Sequence, residues 1–192
     1  HEIGVRSIGL THNLNTWAAA GVYESGSGGA LTQFGVQLVK EMNRLGMLVD
    51  VSHVSEAGFW SVLDVSERPI IGSHSNCKAI CNHVRNLTDE QIKHIAQNRG
   101  SIGVTFVESF IEQDKSRQTL DRLIDHIDHI INLVGIDYVG IGSDFDGGGD
   151  LLTDATEYPK ITEKLIERGY SDTDIEKILG ENHLRVFKAA CG

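Results

Sequence analysis

Five short, almost wholly apolar runs recur along this chain with helix-forming stretches between them, and no other feature restricts the fold as strongly. The runs are Val5–Leu10, Met47–Ser52, Pro69–Ser73, Ser101–Phe106 and Tyr138–Ser143. They are rich in Val and Ile and do not alternate apolar with polar residues, the pattern of strands buried on both faces. Between them, Thr32 reads as an N-cap, with Phe34, Leu38, Val39, Met42 and Leu45 on one helix face and Gly46 as the stop. Thr88 and Gln91 form a capping-box pattern for a helix that ends at Gly100. Leu120, Leu123, Ile124, Ile127, Ile130, Ile131 and Val134 make a long apolar stripe that stops at Gly135. Ser171 opens a further helix, with Ile175, Ile178 and Leu179 before Gly180. Repeated β-then-α order predicts an α/β fold on a parallel sheet.

Five strands suit either an open doubly wound sheet or part of a (β/α)8 TIM barrel. A whole barrel takes about 250 residues, so as a barrel this chain is incomplete, short of roughly its first three βα units. A start at His1 rather than Met, with a strand almost at once, agrees with a chain cut at its front. The 192 residues, 40% hydrophobic, are expected to form a single domain over 1–192. Lys and Arg number 17 against 27 Asp and Glu, and the net charge of −10 disfavours nucleic acid or an anionic membrane as partner. No apolar run approaches the roughly 20 residues of a membrane span, and no basic-then-apolar leader is visible. Cys77, Cys81 and Cys191 are too few, and odd in number, for a disulfide scaffold, which fits a reducing cytoplasm. Cys77 and Cys81 read as small buried residues beside a strand end, and Ser25–Gly29 as the flexible loop.

The reactive residues fall at equivalent places. His12 follows the first run, His53 closes the second, His74 the third and Asp144 the fifth. The C-terminal ends of strands carry the catalytic residues of barrels and gather ligands in open α/β sheets. A core has little use for imidazoles in one layer, because each needs a hydrogen-bond partner. Imidazoles converging with carboxylates suit a Zn-type ion, which activates water and polarises a carbonyl, so hydrolysis of an amide or similar bond is the expected chemistry. A Ser-His-Asp triad is the rival, since Ser52, Ser73 and Ser143 lie nearby, but none sits in a G-x-S-x-G elbow.

Five segments in order, RSIGLTHNLNTWA, LTQFGVQLVKEMNRLGMLVDVSHVSEAGFWSVL, PIIGSHSNCKAICNHVRNLTDEQI, VGIDYVGIGSDFDG and ILGENHLRVF, resemble the membrane (renal) dipeptidase family, peptidase family M19. The resemblance spans nearly the whole chain. It implies a metal-dependent (β/α)8 barrel with two zinc ions bridged by a hydroxide and a carboxylate. It also implies hydrolysis of dipeptides, some with a D-residue at the C-terminal position, and frequent dimerisation. By motif, His53 and His74 correspond to ligands of one zinc, and His12 to the residue that contacts the substrate carbonyl. Arg85 corresponds to the partner of the dipeptide carboxylate, and Asp144 to the acid/base residue near the leaving nitrogen. The family's first-strand H-x-D motif and bridging glutamate have no counterpart here, so this chain is expected to hold one zinc at most and to be a poor catalyst by itself. Gln33 and His183 are minor departures.

Other polar residues read as structural. Asp146 is expected to satisfy the backbone of the Gly147–Gly149 loop. His126 and His129, spaced i,i+3, are expected on an outer or packing face, His83 and His94 at the surface, and Trp17 and Trp60 in packing. Two alternatives to a dipeptidase remain: another metal-dependent hydrolase on the same barrel, such as a deaminase or phosphoesterase, and a non-catalytic homologue acting as a binding module.

Overall fold

A computed structural model describes residues 1–148 and 151–192. All five apolar runs form strands, each shorter than its run: β1 Ser7–Gly9, β2 Leu48–Asp50, β3 Ile70–Gly72, β4 Ser101–Val104 and β5 Val139–Ile141. They make one parallel sheet in the order β1-β2-β3-β4-β5. Ser7 lies beside Leu48, Val49 beside Ile70, Ile71 beside Ser101, and Ile102 beside Val139. The α/β class is as expected. Among the described residues no strand pairs with the outer edge of β1 or β5, so the sheet alone does not show a closed barrel.

Helices cross between the strands where their caps dictate. Helix α1 (Gln33–Leu45) starts at Thr32, whose hydroxyl accepts the Gly35 N–H, and stops at Gly46 in the left-handed conformation. Helix α2 (Glu56–Val65) is capped by Ser55, and α3 (Asp89–Gln97) by the Thr88–Gln91 box. The stop of α3 falls earlier than Gly100, because Arg99 itself takes the left-handed turn at φ 63°. After the short α4 (Glu108–Ile111) comes α5 (Leu120–Val134), whose stripe buries Leu123, Ile124, Ile127 and Ile130 completely. With Phe59, Met42, Ile70, Ile95 and Ile102 these side chains form the main core. Each is worth up to about 1.5–3 kcal/mol of burial.

Helix α6 (Tyr158–Glu167) is followed by α7 (Asp172–Glu176), opened by Ser171. Gly180 does not end the helical segment as its sequence suggests. The chain runs through a π-helical turn, Lys177–Glu181, into α8 (Asn182–Cys191). Helix α8 lies against the N-terminal ends of the strands. Val186 and Ala190 pack on Leu48 and Ile71. The Arg185 guanidinium donates to the carbonyls of Arg99, Gly100 and Asp137, and Asn182 donates to those of Ile136 and Val139. That end of the sheet is thereby covered, and the opposite end is left for chemistry. No helix among the described residues is long and apolar enough to cross a membrane. Trp60 packs edge-on against Phe59 and His94, whereas Trp17, expected in packing, is 87% exposed on the loop after β1.

Candidate metal centre

His12, His53, His74 and Asp144 each follow the end of their strand by no more than three residues, so parallel pairing brings them to one rim. All four line an open cleft of about 500 Å³, with Ser73, Asp146 and Tyr158. That volume is within the range of small-molecule sites and ample for a dipeptide. The exposed His12 ring stacks on His53 with centroids 4.4 Å apart.

The two remaining histidines meet head on. His53 Nε2 and His74 Nε2 are 2.8 Å apart. Their other nitrogens fix what those atoms carry. His53 Nδ1 lies 2.9 Å from the Asn13 side-chain oxygen, which can only accept, so Nδ1 bears the hydrogen. His74 Nδ1 lies 2.7 Å from Ser73 Oγ, and the Ser73 hydroxyl gives its own proton to Asp50 Oδ2, so Nδ1 again donates. Both Nε2 atoms are therefore bare lone pairs facing each other. A shared proton does not resolve this at neutral pH. Burial, with the charge of Arg85, holds the His53 imidazole down to about 3, and burial lowers His74 as well. A cation does resolve it: the 2.8 Å separation is less than twice a zinc–imidazole bond of about 2.0–2.1 Å, so both lone pairs reach a common ion. The donor set fits a borderline metal such as zinc. Among the described residues no three His, Cys, Asp or Glu side chains are grouped to hold an ion.

The same bonds speak against Ser73 as a nucleophile. Ser73 stands between carboxylate and imidazole with its proton given to Asp50, so His74 is not its base.

Asp144 sits at φ 63°, a left-handed conformation that Asp adopts more readily than most residues. Its side chain lies so close to Gly147 that a β-carbon there would collide with the carboxylate. Asp146 is exposed; its expected partners include Gly149, which lies outside the described residues. Arg85 is only 3% exposed. Its guanidinium donates to the carbonyls of Ser52 and His74, directly behind the two facing imidazoles, and lines a separate cavity of about 100 Å³ rather than the open cleft. Burial lowers it to about 10, so it stays charged at neutral pH.

The histidines read as structural are accounted for. His126 is fully buried, accepts the Cys77 N–H at Nδ1 and donates from Nε2 to Ile111 O. His129 pairs with Asp89 at 2.8 Å, and His83 stacks on Phe110. Cys77 and Cys81 are buried free thiols, and burial raises both. Sequence reading missed Asn13 and Asp50. For Asp50 a signal existed, a lone acid inside the apolar run LVDVS.

The family model for membrane dipeptidase (peptidase family M19) matches residues 1–191. The chain belongs to the membrane dipeptidase family. It is similar to dipeptidase tcpJ of Claviceps purpurea (38% identical, covering 98% of this chain and 45% of that protein). It is also similar to dipeptidase verJ of Clonostachys rogersoniana (40% identical, 97% and 49%). Among solved structures it superposes on a metallo peptidase from Rhodobacter sphaeroides liganded with a phosphinate mimic of the dipeptide L-Ala-D-Ala. There the TM-score is 0.91 at 34% identity, over 99% of this chain and 57% of that one. The fold is thus that of the dipeptidase structures, TIM-barrel-like over the matched residues. The chain spans about half the length of the curated relatives it matches.

Proposed function

We propose that this chain carries one side of the catalytic centre of a zinc-dependent dipeptidase. The supporting observation is the pair of bare Nε2 lone pairs of His53 and His74, 2.8 Å apart in the cleft of a membrane dipeptidase family member. His53 and His74 would hold the ion. When bound, zinc supplies Lewis acidity toward the scissile carbonyl and lowers the pKa of water to about 7. Catalytic zinc takes three protein ligands, so a pair from this chain is one side of a centre rather than all of it. Among the described residues no group of three His, Cys, Asp or Glu side chains stands ready for the second of the two zinc ions implied by the family resemblance.

The remaining residues take the roles their chemistry allows. His12, stacked on His53 at the cleft mouth, donates toward the carbonyl oxygen as charge builds on it. Asp144, whose carboxylate lines the same cleft, takes a proton from the attacking water and returns it to the leaving nitrogen. By the family motif Arg85 would pair with the free carboxylate of a dipeptide: its guanidinium has N–H donors beyond the two given to the Ser52 and His74 carbonyls, and because it faces the cavity of about 100 Å³ behind the cleft, the carboxylate end of the substrate would have to enter there. The dipeptide mimic bound by the Rhodobacter sphaeroides protein supports dipeptides as the substrate class, those with a C-terminal D-residue included.

The test is hydrolysis of a dipeptide panel by the purified protein before chelation, after it, and after zinc is returned. Release of amino acids that chelator abolishes and zinc restores is expected, slow because this chain supplies one side of the centre, with Arg85→Ala acting mainly through KM. Hydrolysis indifferent to chelator, or a protein that binds no zinc, contradicts the proposal.

A further inference from the structure

Asp50 has no role in the scheme above, yet its carboxylate accepts hydrogen bonds from Ser52 N, Ser73 N and the Ser73 hydroxyl. It ends β2, on the side where β3 runs alongside, and the two serines immediately precede His53 and His74. Oδ1 takes both amides, at 3.0 and 3.1 Å, and so ties the loop after β2 to the loop after β3. Oδ2 takes the Ser73 hydroxyl at 2.5 Å, which leaves Ser73 Oγ to accept from His74 Nδ1. Ser52 Oγ completes the arrangement by accepting the His74 N–H at 3.0 Å. The amide bonds alone would make Asp50 a backbone clamp. The bond at Oδ2 does something else: it sets the direction of a hydroxyl, and through it the tautomer of an imidazole.

The geometry points to Asp50 as the positioning residue of the metal centre, acting through Ser73 to hold His74 in its Nδ1–H form with the Nε2 lone pair turned toward His53. This rests on the assignment of His53 and His74 as ligands. The alternative tautomer is one atom away. In Asp50→Asn the side-chain oxygen still accepts the two amides, while the new NH2 group occupies the place of Oδ2 and donates to Ser73 Oγ. The serine hydroxyl, released from Asp50, then has two neighbours, and it donates to His74 Nδ1 at 2.7 Å in preference to Ser52 Oγ at 3.2 Å. His74 becomes the Nε2–H tautomer, and the atom that should bind metal carries a hydrogen. Outer partners of this kind fix ring orientation and tautomer at metal sites, and their loss lowers metal affinity about 10–100-fold.

Two readouts test this on the purified protein. Nitrogen-15 imidazole spectra of the metal-free protein should show His74 protonated at Nδ1, and at Nε2 in Asp50→Asn. Titration with zinc(II) alone should show affinity lowered about 10–100-fold in Asp50→Asn and Ser73→Ala and largely kept in Ser73→Thr, which retains the hydroxyl. If Asp50→Asn does not fold, the Ser73→Ala and Ser73→Thr pair decides. An unchanged His74 tautomer in Asp50→Asn, or equal zinc affinity in Ser73→Ala and Ser73→Thr, overturns the role of Asp50. Failure of the unsubstituted protein to bind zinc overturns the ligand assignment instead, and the tautomer measurement still decides the relay.

Discussion

The buried His126 and the facing pair His53 and His74 are both imidazoles inside the protein, and they are built in opposite ways. His126 has a partner on each nitrogen, the Cys77 N–H on one side and the Ile111 carbonyl on the other. His53 and His74 have a protein partner on Nδ1 only, and their Nε2 atoms confront each other. A histidine that serves packing is satisfied by the fold; the proposed metal ligands are left with a lone pair the fold does not satisfy. Removing the first should therefore cost stability, and removing the second should cost binding.

Several substitutions can break that contrast. His126→Leu strands a buried N–H and a buried carbonyl, and chemical denaturation should show a loss of about 2–4 kcal/mol. The pH dependence sharpens the point. Burial holds His126 down to about 4 in the folded chain, against about 6.5 unfolded. The unfolded chain thus takes up the proton first. The stability that neutral His126 contributes is present above about pH 6.5 and is lost as pH falls toward 4. On the order of 3 kcal/mol is involved, so the penalty of His126→Leu should shrink over that window.

His183 belongs with His126, with Nδ1 2.8 Å from Ser101 Oγ and its ring against Gly140. Gly140→Ala drives a methyl into that ring and should cost about 1–3 kcal/mol, relieved in the Gly140→Ala, His183→Ala double variant. At the low end, His129→Ala breaks only a partly exposed pair with Asp89, and a thermal melt should register under about 1 kcal/mol. For His53→Ala in the metal-free protein the expected loss is as small, because it also ends a lone-pair confrontation. A loss as large as that of His126→Leu would erase the distinction.

The legible and illegible parts of this molecule divide along the same line. Strand ends were readable because Val- and Ile-rich runs stop where His12, His53, His74 and Asp144 begin, and parallel pairing does the rest. Caps at Thr32, Thr88 and Ser171 were readable because they act within one turn. Asn13 was not, because its partner is 40 residues away, and Asp50 showed only as a lone acid in an apolar run, its bond to Ser73 spanning 23 residues. The place of α8 was equally hidden, since Arg185 reaches carbonyls 86 residues back in the chain. Gly180 looked like a stop because a π-helical turn leaves no mark in apolar spacing. Arg85 was found by motif, while its burial behind the imidazoles, bonded to the Ser52 and His74 carbonyls, emerged only from tertiary packing.

X-ray absorption at the zinc edge of the metal-loaded protein tests the central claim most directly. Two imidazole nitrogens at about 2.0–2.1 Å should come from His53 and His74, with one lost in His53→Ala and one in His74→Ala. An imidazole shell unchanged in both variants would show that the facing histidines do not hold the metal.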